Sequence, residues 1–396
     1  MRLEQELQVK FRYVICFTRD MFAPGNDVLL NELRGSRPKV AVYLDSGLEQ
    51  AQPLLRDRIE QWLHTHRERI RPCPTVGVEG GEVCKRNPKY FLQIARMLRD
   101  SHLDRHSYVI IVGGGAVLDA VGFAASITHR GLRHIRVPTT VLAQCDSGIG
   151  VKNGVNFLGA KNLLGTFTPP WAVINDLNFL RTLSPRDWIG GISEAFKVAV
   201  IKDRSFLTFL TSYASALKGR DERAMEEMIT RCAKLHADHI ARSGDPFEAG
   251  SSRPLDFGHW SAHCLETRSG YELRHGEAVS IGIVLDLLIA RNRGLISPDE
   301  YTLVVNGLQA AGLPLWHPAL TRRSKDGSVS IHHALDEFRE HLGGELTLIM
   351  PKELGHSCQI HDLSQGEIER AVKEMQESFS QGGYEAEEQQ SSHVLS

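Results

Sequence analysis

The chain has 396 residues, of which 42% are hydrophobic and 24% are charged, so it can form two domains with buried cores and is not globally disordered. Its 46 Lys and Arg residues offset 48 Asp and Glu residues, and no long stretch is strongly basic, which argues against nucleic-acid or membrane-surface binding. No apolar run could span a bilayer, the first residues do not form a signal segment, and seven scattered cysteines lack a CxxC pair. We therefore expect a cytoplasmic protein with reduced thiols.

The first part of the chain alternates predicted strands with predicted helices. Short apolar runs rich in β-branched residues predict strands at 40–44, 108–112, 134–138 and 171–175. Apolar residues at helical spacing predict a helix over 88–100, and the strand at 108–112 leads through three glycines into a helix of small residues. This alternation predicts a parallel sheet with helices on both faces, in a domain over 1–180.

Helical periodicity dominates after residue 180. Ser184 followed by Pro185 is typical of a helix start, and Gly270 and Gly294 stand where helices are expected to end. We therefore predict a mainly α-helical domain over 181–379. The polar, acidic residues 380–396 predict a disordered tail.

The glycine-rich junction YVIIVGGGAVLDAVGFAAS is a candidate phosphate site. Glycines allow the backbone to approach a phosphate closely, and the start of a helix supplies N–H donors and the positive end of a dipole. The segment is not a GxGxxG motif, however, so a tight turn that packs a helix on a sheet is the alternative interpretation.

Three histidines indicate a possible divalent-metal site. His259 and His263 are four residues apart and so lie on one helix face, while His275 begins the next predicted helix. A metal would also need a carboxylate. The alternative is an ordinary histidine pair on a solvated helix; an HExxH motif is excluded because residue 260 is Trp.

A charged pair lies in the otherwise apolar segment GGISEAFKVAVIKD. Glu194 and Lys197 are three residues apart on the predicted helix. Burying such a pair is costly unless a metal, a partner or a substrate meets it. The alternative is an ion pair on the protein surface.

The segment over 141–170 combines glycines with lysines, asparagines and one aspartate. Lys and Asn on glycine-rich loops suit anionic, hydroxylated ligands such as sugar phosphates. A flexible surface loop is the alternative, although long loops inside a domain are usually functional. The polar residues concerned are Asp146, Lys152, Asn153, Asn156, Lys161 and Asn162.

Taken in order, these segments resemble the sugar-phosphate cyclases, the family of 3-dehydroquinate synthase. The resemblance runs from about Asp45 to His356 and rests on GGG-x3-D, PTT-x5-D, K-x8-KN, E-x2-K, FGH-x3-H and HGEAVSIG, which follow the family's order at close to its spacing. It implies a Rossmann-like NAD-binding domain followed by a mainly α-helical domain for metal and substrate, with the active site in the cleft between them. It also implies NAD, a divalent metal (zinc or cobalt) and a homodimer.

The resemblance assigns roles to individual residues. The metal ligands would be Glu194, His259 and His275. The residues at NAD would be Asp45, Glu82, Lys85, Gly114, Gly115, Asp119, Thr139, Thr140 and Thr182. The catalytic residues would be Asp146, Lys152, Lys197 and His263, and the substrate contacts would be Arg130, Lys161, Asn162, Asp256 and His356. In family dimers, the arginine equivalent to Arg130 reaches the neighbouring subunit's site.

The implied reaction converts a heptulosonate or heptulose phosphate into a carbocycle. It combines oxidation by NAD beside a metal, phosphate elimination, re-reduction and an intramolecular aldol closure, with no net redox change. A NAD-dependent polyol or alcohol dehydrogenase of the same architecture is one alternative, although such enzymes typically have an aspartate where Glu194 stands. A non-catalytic binding protein is another.

Several departures from dehydroquinate synthases bear on the substrate. Asp256 replaces an asparagine, His356 replaces a lysine, and a further substrate-side lysine is replaced, with His236 or Lys234 the nearest candidate. Less positive charge disfavours an acid substrate. The 2-epi-5-epi-valiolone synthases, which cyclise sedoheptulose 7-phosphate, resemble this chain in the aspartate but usually lack a histidine at position 263.

Overall fold

Alternating apolar and β-branched segments of the first part of the chain form the strands of a parallel sheet. The structure, a computed structural model, describes residues 1–86, 88–158, 160–248, 254–322, 331–341 and 345–380. Its strands are β1 Val14–Thr18, β2 Lys39–Asp45, β3 Arg71–Pro72, β4 Val76–Val78, β5 Tyr108–Gly113, β6 Arg133–Pro138, β7 Lys152–Phe157, β8 Ala160–Phe167, β9 Ala172–Asp176, β10 Leu348–Glu353 and β11 His356–Ile360.

The main sheet has the order β1-β9-β6-β5-β2-β3, with β4 also paired to β2, and every pairing is parallel. All four predicted strands are confirmed as β2, β5, β6 and β9. The sequence analysis missed β1, β3 and β4. The strands β3 and β4 span only two and three residues, which is too short to produce a recognisable alternation.

Helices cover the sheet and make up most of the second part of the chain. They are α1 Val28–Glu32, α2 Ser46–Ala51, α3 Leu55–Thr65, α4 Val83–Arg86, α5 Pro88–Asp100, α6 Gly115–Ile127, α7 Pro185–Gly190, α8 Ile192–Lys202, α9 Arg204–Lys218, α10 Glu222–Arg242, α11 His259–Arg268, α12 His275–Asn292, α13 Pro298–Ala310, α14 His332–His341 and α15 Gln365–Phe379. The predicted helix over 88–100 is confirmed as α5. Gly270 and Gly294 have φ angles of 70° and 73° just beyond α11 and α12, as their helix-ending role requires.

The described chain divides into two compact units. The first contains Met1–Gly191 and Glu222–Phe247, and the second contains Ile192–Asp221 and the described residues from Glu248 onward. The predicted fold class, a parallel α/β unit followed by a mainly helical one, is confirmed. The domain limits at residues 180 and 379 stay predictions, and the predicted tail lies, from residue 381 onward, outside the described residues.

The core of the first unit lies on both faces of the sheet. Val40, Val42 and Leu44 of β2 pack in one apolar cluster, whereas Ala41 and Tyr43 of the same strand pack in the other. This period of two is the geometry of a strand that is buried on both sides. Each such aliphatic side chain contributes roughly 1.5–3 kcal/mol by burial.

The second unit is built around α12, whose residues from Gly276 to Ala290 are buried. Helices α8, α11, α13 and α15 and strand β10 pack against it. The start of α11 approaches α12 so closely that a Cβ atom on Gly282 would overlap the carbonyl oxygen of Gly258. Gly258 itself has a φ angle of 75°, which favours glycine. These two glycines therefore fix the beginning of α11 on α12.

Within the described residues, none of the helices combines the length and the hydrophobicity that a membrane crossing requires. The seven cysteines all lie in the described residues, and none of them forms a disulfide there.

Candidate metal centre and cofactor site

Three helix starts in the second unit bring together the predicted metal ligands. Glu194 lies in the first turn of α8, and His259 and His275 are the first residues of α11 and α12. The Nε2 atoms of His259 and His275 lie 3.7 and 3.4 Å from Oε1 of Glu194. Ligands that surround one ion tetrahedrally at about 2.0–2.1 Å are separated by about 3.3 Å. This donor set therefore fits a divalent metal.

Both histidines are oriented for metal binding by their other ring nitrogen. Nδ1 of His275 lies 3.2 Å from Oε2 of Glu266, and Nδ1 of His259 lies 3.1 Å from the carbonyl oxygen of Phe257. These acceptors place the proton on Nδ1 and leave the Nε2 lone pair facing Glu194. Burial, together with the charge of Lys197, lowers the pKa of His259 and so favours the neutral imidazole that binds metals.

Two predicted catalytic residues join the same cluster. Lys197 is 4% exposed and its Nζ lies 2.6 Å from Oε2 of the fully buried Glu194, so the surface ion pair considered above is wrong. The His263 ring centroid lies 5.7 Å from that of His259 and 5.9 Å from that of His275. His263, Glu266 and His275 form a second group whose potential ligand atoms lie within 4.8 Å of one another.

A buried carboxylate supports the segment that carries His259. Asp286 of α12 accepts hydrogen bonds from the backbone N–H of Gly258 at 2.8 Å and from the indole of Trp260 at 2.7 Å. Burial raises the pKa of Asp286 to about 7, although both hydrogen bonds oppose that shift. Neither Asp286 nor Glu266 was predicted from the sequence. A lone acid in the apolar run IGIVLDLLIA is the signal that could have revealed Asp286.

Several predicted NAD-binding residues lie at one edge of the sheet in the first unit. Asp45 ends β2, Gly113 ends β5 just before Gly114 and Gly115, and Thr139 follows β6 directly. Because these strands are parallel, their carboxyl ends meet at the same edge, where α/β folds bind ligands. Thr140 follows Thr139, and Thr182 ends a short 3₁₀ segment after β9.

The glycine junction fits a phosphate group. Gly114 is the N-cap residue of α6, a helix of 13 residues. It has no side chain that could accept hydrogen bonds from the first N–H groups of that helix. A Cβ on Gly115 would lie 2.6 Å from Oγ of Ser147, and one on Gly113 would lie 2.9 Å from Val117. Only glycine therefore fits at positions 113 and 115 without displacing a neighbouring side chain.

Four polar residues of the predicted cofactor region form two pairs. Nζ of the buried Lys85 lies 2.6 Å from Oδ2 of Asp119, and Nδ2 of Asn156 donates to Oε2 of Glu82 at 3.4 Å. Burial alone lowers the pKa of Lys85, but the charges of Asp119 and Glu82 outweigh it and raise the pKa. Lys85 is therefore held as a cation at neutral pH.

Asp146 has a histidine neighbour in the first unit. Nδ1 of His236, on α10, lies 3.1 Å from Oδ1 of Asp146, whereas Lys234 pairs with Asp238. Of the two candidates for the replaced substrate-side lysine, His236 is thus the one that contacts a predicted catalytic residue.

The glycine-rich segment after Asp146 is more regular than the predicted loop. Lys152 begins β7, Lys161 and Asn162 lie in β8, and the two strands pair in an antiparallel hairpin in which Gly154 faces Gly165. The loop interpretation of this part was wrong because two facing glycines give strands without the alternating side chains that mark a hairpin in sequence.

The remaining predicted substrate residues differ in exposure. Arg130, Asn162 and His356 are exposed, and Arg130 has a φ angle of 63°. Nδ1 of His356 lies 3.2 Å from Oε1 of Glu353, and the carbonyl oxygen of Asp256 accepts a hydrogen bond from the N–H of His259 at 3.0 Å. The roles assigned to all site residues stay predictions.

Comparison with known proteins gives the family. A family model described as 3-dehydroquinate synthase N-terminal matches residues 75–190, and one described as 3-dehydroquinate synthase C-terminal matches residues 191–332. The chain is 35% identical over 286 residues to a 3-dehydroquinate synthase of Dichelobacter nodosus, covering 72% of this chain and 76% of the relative. It is also 35% identical over 298 residues to a 2-epi-valiolone synthase of Actinosynnema mirum, covering 75% and 77%.

A solved structure is similar over almost the whole chain. It is a 2-epi-5-epi-valiolone synthase from Streptomyces hygroscopicus with NAD+ and Zn2+ bound, and it matches with a TM-score of 0.84 at 26% identity, covering 96% of this chain and all of that one. The two family models together cover more than half of the chain, and the relatives match along both. The chain therefore belongs to the 3-dehydroquinate synthase family of sugar-phosphate cyclases.

Proposed function

We propose that this protein is an NAD- and metal-dependent sugar-phosphate cyclase that eliminates phosphate from a heptulose phosphate and closes a carbocycle. The observation that carries the proposal is the Glu194–His259–His275 cluster, in which Glu194 and His259 are buried and both Nε2 atoms face one carboxylate. Such a preformed donor set in a member of this family supports metal-assisted chemistry on substrate oxygens.

When bound, the metal would polarise substrate oxygens and NAD would take up and return one hydride, so the reaction would show no net redox change. Glu194, His259 and His275 would hold the metal, and the sheet edge around Gly114 and Gly115 would bind the NAD phosphates. These assignments agree with the NAD+ and Zn2+ named for the similar valiolone synthase.

The chain's own charged residues supply the rest of the chemistry. Lys197 lies against Glu194 and so keeps a positive charge beside the metal ligands. Lys152 and Lys161 occupy the hairpin and would offset the charge of the leaving phosphate. His236 contacts Asp146 and would hold the side chain of that residue in place beside the substrate.

We further propose that the substrate lacks a carboxylate and is of the sedoheptulose 7-phosphate type. Asp256 and His356 stand where the resembled dehydroquinate synthases have asparagine and lysine, and both changes disfavour an anionic substrate tail. The similarity to a 2-epi-valiolone synthase supports this choice. A 3-dehydroquinate synthase activity on the carboxylated heptulosonate is the second candidate, favoured by the similarity to the Dichelobacter enzyme.

Phosphate release from purified protein loaded with zinc and NAD tests both candidates. Sedoheptulose 7-phosphate and 3-deoxy-arabino-heptulosonate 7-phosphate would be offered separately while NADH absorbance is recorded. We expect release from the first without NADH accumulation. Release only from the heptulosonate would overturn the substrate proposal, and steady NADH formation would indicate a dehydrogenase.

The double variant Asp256→Asn, His356→Lys tests the explanation of substrate choice. It adds positive charge and removes a negative one, so we expect its kcat/KM for the heptulosonate to rise by about tenfold relative to the wild type. An unchanged ratio of the kcat/KM values for the two substrates would show that Asp256 and His356 do not discriminate against the substrate carboxylate.

We also propose a cytoplasmic homodimer in which Arg130 serves the partner's site. Its exposed side chain and left-handed backbone support a role in contacting something outside its own unit. Mixing an Arg130→Ala chain with a Glu194→Ala chain should restore part of the activity that each lacks alone. A monomer by light scattering would contradict the proposal.

A further inference from the structure

A buried arginine in the first unit organises the segment between two predicted catalytic residues. Arg136 lies on β6 and is fully buried. Its guanidinium Nη1 donates to the carbonyl oxygens of Ser147, Gly148 and Gly150 at 3.0, 3.3 and 2.7 Å. Its Nη2 donates to the carbonyl oxygen of Lys152 at 2.7 Å and to Oδ1 of Asn153 at 2.8 Å.

These bonds satisfy carbonyl groups over 147–152, between the last residue of the π-helical turn Ala143–Ser147 and the first residue of β7. Buried carbonyl groups need donors, and where a turn passes into a strand the regular backbone pattern does not supply them all. The two other carbonyls are also satisfied, since Ile149 accepts from the hydroxyl of Tyr13 at 3.2 Å and Val151 accepts from the N–H of Thr168 at 2.9 Å. One guanidinium thus holds four of the six carbonyls in this stretch.

The choice of arginine is costly, which indicates a specific purpose. Burial lowers the pKa of Arg136, and none of its hydrogen-bond acceptors in the described chain is a carboxylate. A buried cation without an acidic hydrogen-bond partner is unfavourable unless many aligned dipoles surround it. The planar fork of arginine can reach several carbonyls at once, whereas a lysine cannot.

We propose that Arg136 is a positioning residue that sets the distance between Asp146, which precedes the held segment, and Lys152, which is its last residue. Because the guanidinium is buried and both of its terminal nitrogens are engaged, it acts through the segment and does not touch the substrate. The inference rests on the proposed function, in which this segment faces a phosphate-bearing sugar. It adds a residue that the sequence motifs do not reveal.

The variant Arg136→Lys tests the inference, with His134→Leu as the matched control. His134 is also buried and lies two residues away on β6, therefore on the same face, and in the described chain its Nε2 has no hydrogen-bond partner. Both variants disturb the strand, but only the first loosens the segment. The melting temperature and zinc content of each variant would be measured, so that the two variants are compared at similar stability.

Two readouts separate positioning from simple stability. In Arg136→Lys we expect amide hydrogen exchange over 147–152 to become at least about tenfold faster and the KM for sedoheptulose 7-phosphate to rise by about tenfold, with zinc content unchanged. In His134→Leu, exchange in this segment and KM should match the wild type. Asn153→Ala, which removes one acceptor, should give a smaller change in the same direction and serves if Arg136→Lys fails to fold.

Unchanged exchange over 147–152 in Arg136→Lys would overturn the inference. Faster exchange with an unchanged KM would also overturn it, because the segment would then not position substrate groups. If the wild type released no phosphate from either sugar phosphate, the proposed function would fail. The inference about Arg136 would then be decided by the amide exchange rates over 147–152 and by the Kd for inorganic phosphate. Arg136→Lys should raise that Kd.

Discussion

The predicted metal cluster of the second unit and the predicted cofactor edge of the first unit are built differently. Glu194, His259 and His275 lie at the starts of three packed helices, and hydrogen bonds to Glu266 and Phe257 orient the two imidazoles. The cofactor edge instead relies on glycines, backbone N–H groups and side chains on turns after the strands.

This difference follows from the ligands that each region would bind. The donors around a small divalent ion are separated by about 3.3 Å, so the protein must place them close together in advance. A dinucleotide is large and can be held by many weak contacts along a sheet edge. We therefore expect single substitutions to act sharply in the cluster and gradually at the edge.

The largest effect is expected when a metal ligand is removed. Glu194→Ala or His275→Ala should abolish zinc binding and phosphate release together, because two remaining donors do not hold the ion. Zinc per chain after dialysis is the measurement. His263→Ala is the control and should keep its zinc. Loss of zinc from this variant would indicate that the ion is bound by the second donor group, His263, Glu266 and His275. Full zinc content in both ligand variants would contradict the assignment.

A smaller effect is expected for Glu266, which orients His275. Glu266→Gln should weaken zinc binding by about 10- to 100-fold, since the amide holds the imidazole less firmly than a carboxylate does. Competition with a chelator measures this affinity. Glu272→Gln, a change at a half-exposed glutamate, is the control. Equal zinc affinity in both variants would show that Glu266 does not support the metal.

The helix contact beneath the cluster offers a third test. Gly282→Ala places a methyl group against the carbonyl of Gly258, so we expect a loss of about 1–3 kcal/mol in the free energy of unfolding and weaker zinc binding. Gly190→Ala is the control, because a Cβ there meets no atom within 4 Å. If thermal melting gave the same stability for both variants, the close approach of α11 and α12 would be relaxed in solution.

The smallest effect lies away from both regions, at the start of α15. A hydrogen bond from Arg293 lowers the pKa of Glu367 to about 2. Burial alone would raise this pKa, and hydrogen bonds from Ser364 help to offset that effect. Since this value is below that of the unfolded chain, near 4.5, the stabilisation is complete above pH 4.5 and is lost as the pH falls toward 2.

Glu367→Gln should therefore cost about 1 kcal/mol at pH 7, after allowance for solvent screening of a partly exposed pair, and almost nothing near pH 2. Urea unfolding at several pH values measures this difference. A constant gap between variant and wild type across that range would contradict the assigned cause, and zinc content should not change at neutral pH.

Local patterns were enough to predict much of this protein. The runs at 40–44 and 108–112 are strands because β-branched residues buried on both faces suit a parallel sheet, and Gly270 and Gly294 end helices because their backbones adopt positive φ angles. The order and spacing of the motifs identified the family and, through it, predicted the three metal ligands, which the structure brings together.

Other features were decided only by the tertiary structure. Arg136 bonds to acceptors 11 to 17 residues away, and Asp286 bonds to a backbone group 28 residues away, so no local pattern marks either as a support for the site. Helix α10 belongs to the first unit, although it follows α8 and α9 of the second unit in the chain. The hairpin of β7 and β8 forms where Gly154 faces Gly165. The contacts of Arg136 and Asp286 depend on long-range burial of polar groups, whose cost is met only when distant partners come together.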